Sequence, residues 1–328
     1  MLIPQLTPEE NARLKIWVLA PSLITNDPNI DYYYDFSQSI QEYTKVFATL
    51  NMHWQWQPVT MEDYPSIISS ILNEKQSGEY FPIVLNLCDG DEINGTPGIS
   101  VLRLLDSYGL LYTGSDEYFY TITTSKIPMK RAFDEAGIAT AKWKAIYAID
   151  DVDASLLSAL GSPLIVKPAV SGGSMGVGVR NVVADEEALK DQVAQMFKGY
   201  RGWNLAADGI IAEQFIQGPE FTTMIVGSWY DPDHCKVYDA VERVFHSSLP
   251  EEEKFLSFDR LWEIYEEETP MPADENFYEY RKAADELQEK IKSLSLAAFL
   301  AVKGTGYTRV DIRQDSTTGQ LYVLEVNA

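Results

Sequence analysis

Two predicted strands near the end of the chain carry residue types that bind divalent cations and phosphate. Alternation along the first strand places Arg309, Asp311 and Arg313 on one face. In the second strand, Glu325 and Asn327 share a face by the same rule. If the strands are neighbours, two carboxylates and an amide oxygen converge, and this hard oxygen set suits Mg²⁺ better than zinc. Adjacent arginine would suit phosphate or a developing oxyanion, while a salt-bridged sheet face is the alternative.

A glycine-rich segment follows a predicted buried strand that ends in Lys167. Residues 171–176 read Ser-Gly-Gly-Ser-Met-Gly, and the pattern predicts a second strand over residues 177–183. A P-loop needs a helix after its glycines, so we expect instead a hairpin whose backbone amides lie over phosphate groups. Ordinary turn chemistry is the alternative.

Glu213 and Glu220 are acids at the ends of two further predicted strands, which are joined by a turn at Gly218-Pro219. Their carboxylates could accept hydrogen bonds from an amine or from ribose hydroxyls. Solvated acids at a hairpin edge are the alternative interpretation.

Apolar periodicity predicts the elements that would position these residues. Short bounded apolar runs at residues 16–20 and 83–87 predict buried strands of a parallel sheet, so we expect the first third of the chain to be α/β. The later patterns predict a small α+β unit and then a sheet with a helix on one face. We therefore expect a fold of mixed α/β and α+β class with three domains, at residues 1–118, 119–208 and 209–328.

The composition excludes several classes of protein. The 328 residues are 45% apolar, and 26 basic against 49 acidic residues give a net charge of −23. Such a surface repels polyanions, so we expect neither a nucleic acid partner nor an anionic membrane partner. The N-terminus lacks a signal peptide pattern and no apolar run reaches about 18 residues, which predicts a cytoplasmic protein. We expect Cys88 and Cys235 to be reduced thiols without a metal.

Six motifs occur in a fixed order along the chain: Ser125-Lys126, Val166-Lys167-Pro168, the hairpin Gly173-Ser174-Met175-Gly176, the segment from Glu213 to Glu220, Arg309-Val310-Asp311 and Leu324-Glu325-Val326-Asn327. Together they resemble the ATP-grasp superfamily of carboxylate-amine ligases, and within it the D-alanine D-alanine ligases. The resemblance implies an ATP-grasp fold, with an N-terminal α/β domain, a small central lid domain and a C-terminal ATP-grasp domain.

The same resemblance implies a site for ATP with Mg²⁺, or with Mn²⁺ as an alternative. The residues implied at the phosphates are Lys126, Lys167, Ser171, Gly172, Gly173, Ser174 and Met175. Those implied at the adenosine are Glu213, Gln214, Phe215, Ile216 and, at the ribose, Glu220. The implied metal ligands are Asp311, Glu325 and Asn327. Arg309 would stabilise the acyl-phosphate, and Arg243 stands where the ligases carry a lysine near the γ-phosphate.

The activity that the resemblance implies is ATP-dependent ligation. A carboxylate would attack the γ-phosphate to give an acyl-phosphate and ADP, and an amine would then displace phosphate to form an amide. The substrates would be amino acids or amines of small-molecule size, and a homodimer is expected. The alternatives are a D-alanine D-alanine ligase of cell-wall synthesis and a nucleotide-binding module that has lost catalysis.

Three regions depart from the ligase pattern. Residues 20–35 and the loop 88–95 lack the ligases' glycine-serine segment and histidine-glycine pair, which predicts a substrate other than D-alanine. The acidic, aromatic segment 246–276 is longer than the ligase loop, and we expect either a substrate-shaping lid or a solvated insertion. The chain stops one residue after Asn327, and we expect the sequence to be a shortened form of a longer protein.

Overall fold

The computed structural model describes residues 7–23, 35–265, 268–272 and 275–328. Residues 20–35, one of the regions that differ from the ligase pattern, therefore lie mostly outside the described residues. The chain divides into two compact units between Glu117 and Tyr118. The further domain boundary expected after residue 208 stays a prediction.

The first unit is built on a parallel sheet. Its elements are α1 (Pro8–Arg13), β1 (Leu14–Pro21), α2 (Ser37–Thr49), β2 (His53–Val59), α3 (Tyr64–Ser77), β3 (Phe81–Asn86), α4 (Ile99–Ser107) and β4 (Leu111–Tyr112). The strand order is β2-β1-β3-β4, and every pair is parallel. The parallel sheet predicted from the two apolar runs is therefore confirmed.

Apolar packing holds this sheet against its helices. Leu19 of β1 and Val84 of β3 are fully buried, together with Ile68 of α3 and Leu105 of α4. Continuous apolar runs are typical of parallel strands that are covered on both faces. Gly78 ends α3 with a φ of 75°, a conformation that glycine adopts without strain.

The second unit contains a small antiparallel sheet. The elements over this part of the chain are α5 (Glu117–Thr124), α6 (Lys126–Glu135), β5 (Trp143–Ile146), α7 (Ala154–Leu160), β6 (Leu164–Pro168), β7 (Val182–Val183), α8 (Glu186–Lys198) and β8 (Ile210–Gln214). The strand order is β5-β8-β6-β7. Asp185 caps α8 by accepting a hydrogen bond from the amide of Ala188 at 2.9 Å, as its position before the helix predicts.

The strand predicted over residues 177–183 is wrong for most of its length. Only Val182–Val183 pairs with β6, and a 3₁₀ turn occupies Val179–Asn181. The apolar run misled the prediction because Val177 packs in the core from a loop rather than from a strand. The glycine-rich segment therefore leads into a turn, and the expected simple hairpin is not formed.

A larger antiparallel sheet follows. Its elements are β9 (Glu220–Ser228), β10 (Lys236–Val237), β11 (Val241–Phe245), α9 (Phe258–Leu261), β12 (Tyr278–Lys282), α10 (Asp285–Ala301), β13 (Thr305–Gln314) and β14 (Leu321–Asn327). The strand order is β12-β11-β9-β13-β14, with β10 also paired to β9. Helix α10 covers one face, where Ile291 and Phe299 pack against Phe221 and Val310. The opposite face carries charged residues.

Two smaller findings complete the architecture. In the described part of the chain, neither Cys88 nor Cys235 forms a disulfide bond. Within the described ranges, no helix has the length and apolar character needed to cross a bilayer.

Candidate active site

One face of the larger sheet brings the predicted C-terminal residues together. Antiparallel pairing of β13 with β14 places Asp311 opposite Glu325 and Arg309 opposite Asn327. Val310, between the two charged residues of β13, is fully buried in the core on the other face. The predicted convergence of two carboxylates and an amide side chain is therefore confirmed.

The carboxylate of Asp311 has nitrogen partners from two strands. Arg309 donates from Nε, 3.1 Å from both oxygens, and from Nη2, 3.0 Å from Oδ2. Asn327 donates from Nδ2 to the same Oδ2 at 3.2 Å. The side chain of Asp311 is 5% exposed, whereas that of Arg309 is 50% exposed. The arginine can therefore leave the carboxylate without disturbing a packed core.

The donor atoms on this face fit a hard divalent cation. Asp311 and Glu325 each offer a carboxylate, and the hydrogen bond from Asn327 to Asp311 leaves the amide oxygen of Asn327 available. Oxygen donors of this kind suit Mg²⁺ or Mn²⁺, which usually keep further ligands from substrate phosphates. Across the described part of the chain, no group of three or more His, Cys, Asp or Glu side chains could hold a metal. A cation here would therefore need the amide and ligands from a bound nucleotide or water.

Glu220 lies between two arginines on neighbouring strands. The register places it opposite both Arg243 of β11 and Arg313 of β13. Its Oε1 forms an ion pair with Arg243, and its Oε2 lies 3.5 Å from Nη2 of Arg313. Burial lowers the pKa of Arg243, but Glu220 and Asp311 outweigh burial and raise that pKa above its usual value. Arg243 is thus a permanent cation. It is paired with Glu220, the acid that is predicted to bind the ribose.

Three lysines lie near Glu213 and Glu325. Nζ of Lys130 is 2.9 Å from Oε2 of Glu213, and Lys167 forms a second ion pair with Oε1. Nζ of Lys126 is 3.9 Å from Oε2 of Glu325. Burial alone would raise the pKa of Glu213, but Lys130 and Lys167 outweigh it and lower that pKa to about 2. Glu213 is therefore an anion at neutral pH.

Asn181 anchors the glycine loop, which we define as residues 171–178. Its Nδ2 donates to the carbonyl of Val166 at 2.6 Å and to that of Gly176 at 3.0 Å. Its Oδ1 accepts from the amide of Gly178 at 2.8 Å. Because Asn181 is fully buried, these bonds fix where the loop leaves and rejoins the small sheet.

The predicted residues of the glycine loop differ in environment. Nζ of Lys126 donates to the carbonyl of Ser171 at 3.4 Å, so the start of the loop lies at the lysine cluster. Met175 is fully buried. Gly173 and Ser174 have φ values of 52° and 62°, so the backbone turns through the left-handed region between them. The backbone of this loop is better placed for ligand contacts than the side chain of Met175.

The described residues of the segment 246–276 pack against the glycine loop. Three hydrogen bonds join them, from Nε1 of Trp262 to the carbonyl of Gly173 (2.8 Å), from the amide of Phe258 to the carbonyl of Val177 (2.8 Å) and from the amide of Val179, just beyond the loop, to Oε1 of Glu268 (2.8 Å). The ring of Phe255 packs against that of Phe215 with centroids 5.8 Å apart. The interpretation as a solvated insertion is therefore wrong for these residues, while a role in shaping the substrate stays a prediction.

The residues predicted at adenine lie at the end of β8 and just after it. Gln214 is partly exposed, whereas Phe215 and Ile216 are buried. The guanidinium group of Arg313 lies 5.0 Å from the ring centroid of Phe215, and one of its nitrogens donates to the carbonyl of Lys254. This contact links the strand end to the segment 246–276.

Two residues of this site, Lys130 and Tyr280, were not among those predicted from the sequence. Lys130 follows Lys126 by four positions, so helical periodicity places both on one face of α6, and this signal could have revealed it. Tyr280, whose hydroxyl accepts from Nη2 of Arg243 at 3.1 Å, has no comparable signal. Its position depends on the pairing of β12 with β11 after the long segment between them.

The chain is similar in sequence to a known family and to curated ligases. Residues 132–328 match the family described as D-ala D-ala ligase C-terminus. The D-alanine--D-alanine ligase of Xanthomonas axonopodis pv. citri is 29% identical over 252 residues, which cover 76% of this chain and 69% of that protein. The enzyme of the same name from Cupriavidus metallidurans is 31% identical over 224 residues, 68% of this chain and 60% of its own.

Solved structures show the same fold. The D-alanine--D-alanine ligase of Bacillus anthracis complexed with ATP aligns with a TM-score of 0.60 and 21% identity, covering 95% of this chain and 85% of its own. The D-alanyl-alanine synthetase A of Vibrio cholerae aligns with a TM-score of 0.65 and 16% identity, covering 96% and 89%. The ATP-grasp fold predicted from the six motifs is confirmed. The chain belongs to the D-ala D-ala ligase family, and it is an ADP-forming, ATP-dependent ligase.

Proposed function

We propose that the protein joins the carboxylate of an amino acid to an amine through an acyl-phosphate, with the residues of the larger sheet and the lysine cluster as its catalytic site. The observation that carries this proposal is the convergence of Arg309, Asp311, Glu325 and Asn327 on one face. Phosphoryl transfer needs positioning and neutralisation of charge, and it needs no protein nucleophile. This face offers cations for phosphate oxygens and oxygen ligands for a cation.

The lysine cluster would bind the phosphates of ATP. Lys126 and Lys167 are the suitable donors, because their side chains are 11% and 16% exposed. The backbone of the glycine loop would close over the same phosphates. Adenine would lie against the strand end at Phe215, and Glu220 would accept from the ribose hydroxyls.

Asp311, Glu325 and Asn327 would hold Mg²⁺, with Mn²⁺ as an alternative. The cation would neutralise charge on the β- and γ-phosphate oxygens. Arg309 would then turn from Asp311 towards the acyl oxygen, where negative charge develops during the second step. Its exposed side chain supports this movement.

The two chemical steps balance with the substrates alone. An oxygen of the substrate carboxylate attacks the γ-phosphorus, and the bond from that phosphorus to the bridging oxygen breaks to release ADP. The amine nitrogen then attacks the acyl carbon, phosphate leaves, and the amine proton passes to the leaving phosphate. The segment 246–276 would protect the acyl-phosphate from water.

Two substrate assignments are supported by different observations. The names of the relatives favour D-alanine as both substrates. The departures at residues 20–35 and 88–95 favour another amino acid or amine. A cytoplasmic location and a homodimer stay predictions.

ADP release with Mg²⁺ tests the proposal over a panel of amino acids, including D-alanine, given singly and in pairs. We expect ADP release to require the productive substrates, to yield an amide detected by mass spectrometry, and to be lost in Glu325→Gln. ATP binding without amide formation from any pair would contradict the proposal.

A further inference from the structure

Glu213 has two lysine partners that differ in their surroundings. The acid lies on β8, which is placed between β5 and β6 in the small sheet. Its neighbours on those strands are Trp143 of β5 and Ile165 of β6. It is 1% exposed, and its two carboxylate oxygens face Lys130 and Lys167. An anion this deeply buried needs a cation beside it, because a buried charge without a partner is strongly destabilising.

Described residues from several elements hold the amino group of Lys130 in place. Its side chain is 1% exposed. Besides Glu213, its Nζ donates to Oγ1 of Thr140 at 2.5 Å and lies 3.5 Å from the carbonyl of Val323. The hydroxyl of Thr140 donates onward to the carbonyl of Val323 at 2.9 Å. Lys130 is therefore held between α6, the chain before β5, and β14.

Lys167 is held less firmly. It lies at the end of β6, where the chain enters the glycine loop, and its side chain is 16% exposed. Among the described residues, Glu213 is its only ion-pair partner within 4.0 Å. Its amino group can therefore move toward a ligand, whereas that of Lys130 cannot.

The difference matters when an anionic ligand enters the site. If Lys167 turns to a phosphate oxygen, Glu213 loses one of its two counter-ions. With Lys130 in place, the carboxylate keeps a partner and Lys167 can leave at small cost. Without Lys130, Lys167 would be the only cation among the described residues within 4.0 Å of this buried anion, and it would stay with it.

We propose that Lys130 is a positioning residue, a fixed counter-ion of Glu213 that frees Lys167 to bind nucleotide phosphate. The inference rests on the proposed nucleotide site and adds a residue to it. Lys130 itself would touch neither ATP nor the amino acid substrates.

The test compares a nucleotide analogue, which carries phosphates, with the corresponding nucleoside, which carries none. Affinities for the ATP analogue AMPPNP with Mg²⁺, and for adenosine, are measured by calorimetry on the full chain. In Lys130→Met, Lys167 remains bound to Glu213, so AMPPNP affinity should fall roughly 10- to 100-fold, the range expected when a charged hydrogen bond is lost. Adenosine affinity should change less than about 3-fold, because no phosphate contact is involved.

A second substitution separates positioning from a merely structural role. Because Glu213 is also implied at the adenosine, AMPPNP affinity is expressed relative to adenosine affinity in the same variant. In Lys130→Met/Glu213→Gln, residue 213 needs no counter-ion and Lys167 is free, so this ratio should return to within about 3-fold of the wild-type ratio. In Lys167→Met/Glu213→Gln, the phosphate ligand itself is missing, so affinity should stay low. Lys190→Met, which removes an exposed lysine of α8, controls for the change in net charge.

The outcomes are distinct. Equal losses for AMPPNP and adenosine in Lys130→Met, or no recovery when Glu213→Gln is added to it, would overturn the proposal. If Lys130→Met does not fold, the comparison of the two double variants still decides, since equally weak AMPPNP binding by both would also overturn it. Wild-type protein that binds no AMPPNP would instead refute the nucleotide site, and this proposal with it.

Discussion

Arg309 binds the carboxylate of Asp311 through two nitrogen atoms, with Nε 3.1 Å from both oxygens and Nη2 3.0 Å from Oδ2. The two residues lie two positions apart on β13. The arginine thus neutralises an acid that lies opposite a second acid, Glu325, on β14. A cation that binds the two carboxylates would take over this role and release Arg309 for the reacting group.

Removing one carboxylate should weaken the proposed cation site. We expect Asp311→Asn to raise the Mg²⁺ concentration for half-maximal ADP release by at least about 10-fold, because a neutral amide is a weaker ligand for Mg²⁺. A Mg²⁺ titration at saturating ATP measures this midpoint. Glu289→Gln removes an exposed acid of α10 and should leave the midpoint unchanged. Equal midpoints in the two variants would contradict the assignment of Asp311.

Trp262 should restrain the glycine loop. Trp262→Phe removes the indole N–H that bonds to the carbonyl of Gly173, and a lost hydrogen bond of this kind is expected to speed amide exchange in residues 171–179 by about 5- to 10-fold. Hydrogen exchange followed by mass spectrometry measures the effect. The amide of Ile225, within β9, is the internal reference, and Trp229→Phe is the matched variant outside the loop. Unchanged exchange over 171–179 would show that the indole bond does not hold the loop.

Phe255 should anchor the segment 246–276 to the second unit. Its ring is buried and packs against Phe215, so Phe255→Ala should lower the free energy of unfolding by about 3 to 5 kcal/mol. Urea unfolding followed by tryptophan fluorescence measures the change. Tyr230→Ala, at a residue that is 74% exposed, should cost about 0.5 kcal/mol or less. A comparable small cost for Phe255→Ala would mean that the segment is only loosely attached.

Glu213 should make stability depend on pH in the acid range. Its pKa is lowered from 4.5 to about 2, so its ionised form stabilises the fold fully above an unfolded-state pKa of about 4.3. This stabilisation is lost as pH falls from that value through the folded-state pKa. The difference in free energy of unfolding between wild type and Glu213→Gln should therefore be constant near neutral pH and shrink below about pH 4.3.

Urea unfolding at a series of pH values from 7 to about 2.5 covers this window. Glu187→Gln, an exposed acid on α8, serves as the reference variant. A wild-type advantage over Glu213→Gln that stays the same down to the lowest pH would contradict the low pKa of Glu213.

Local pattern was sufficient to predict the two C-terminal strands and the fold class. Alternation placed Arg309 and Asp311 on one face of β13, and the structure pairs that face with Glu325. The apolar runs predicted the parallel sheet because strands covered on both faces need continuous apolar sequence. These features follow from residues that are close in sequence.

Contacts between distant residues could not be predicted in this way. Lys130 meets Glu213 across 83 positions, and Trp262 meets Gly173 across 89. No spacing rule connects such positions, because their approach depends on how whole elements pack. The strand predicted over 177–183 failed for a related reason, since burial of Val177 in a loop produces the same apolar signal as a strand.

The pairing of Arg313 with Glu220 also fixes the alignment of β13 against β9. A slip of two residues in one direction would keep every apolar side chain on the core face, so the hydrophobic pattern alone would tolerate it. That slip would place Asp311 opposite Glu220, and two carboxylates facing each other across strands are unfavourable. Charged residues that we propose to bind ligand thus also disfavour this alternative alignment of the two strands. Neutralising Glu220 or Asp311 should therefore increase the yield of misaligned, aggregation-prone protein during refolding.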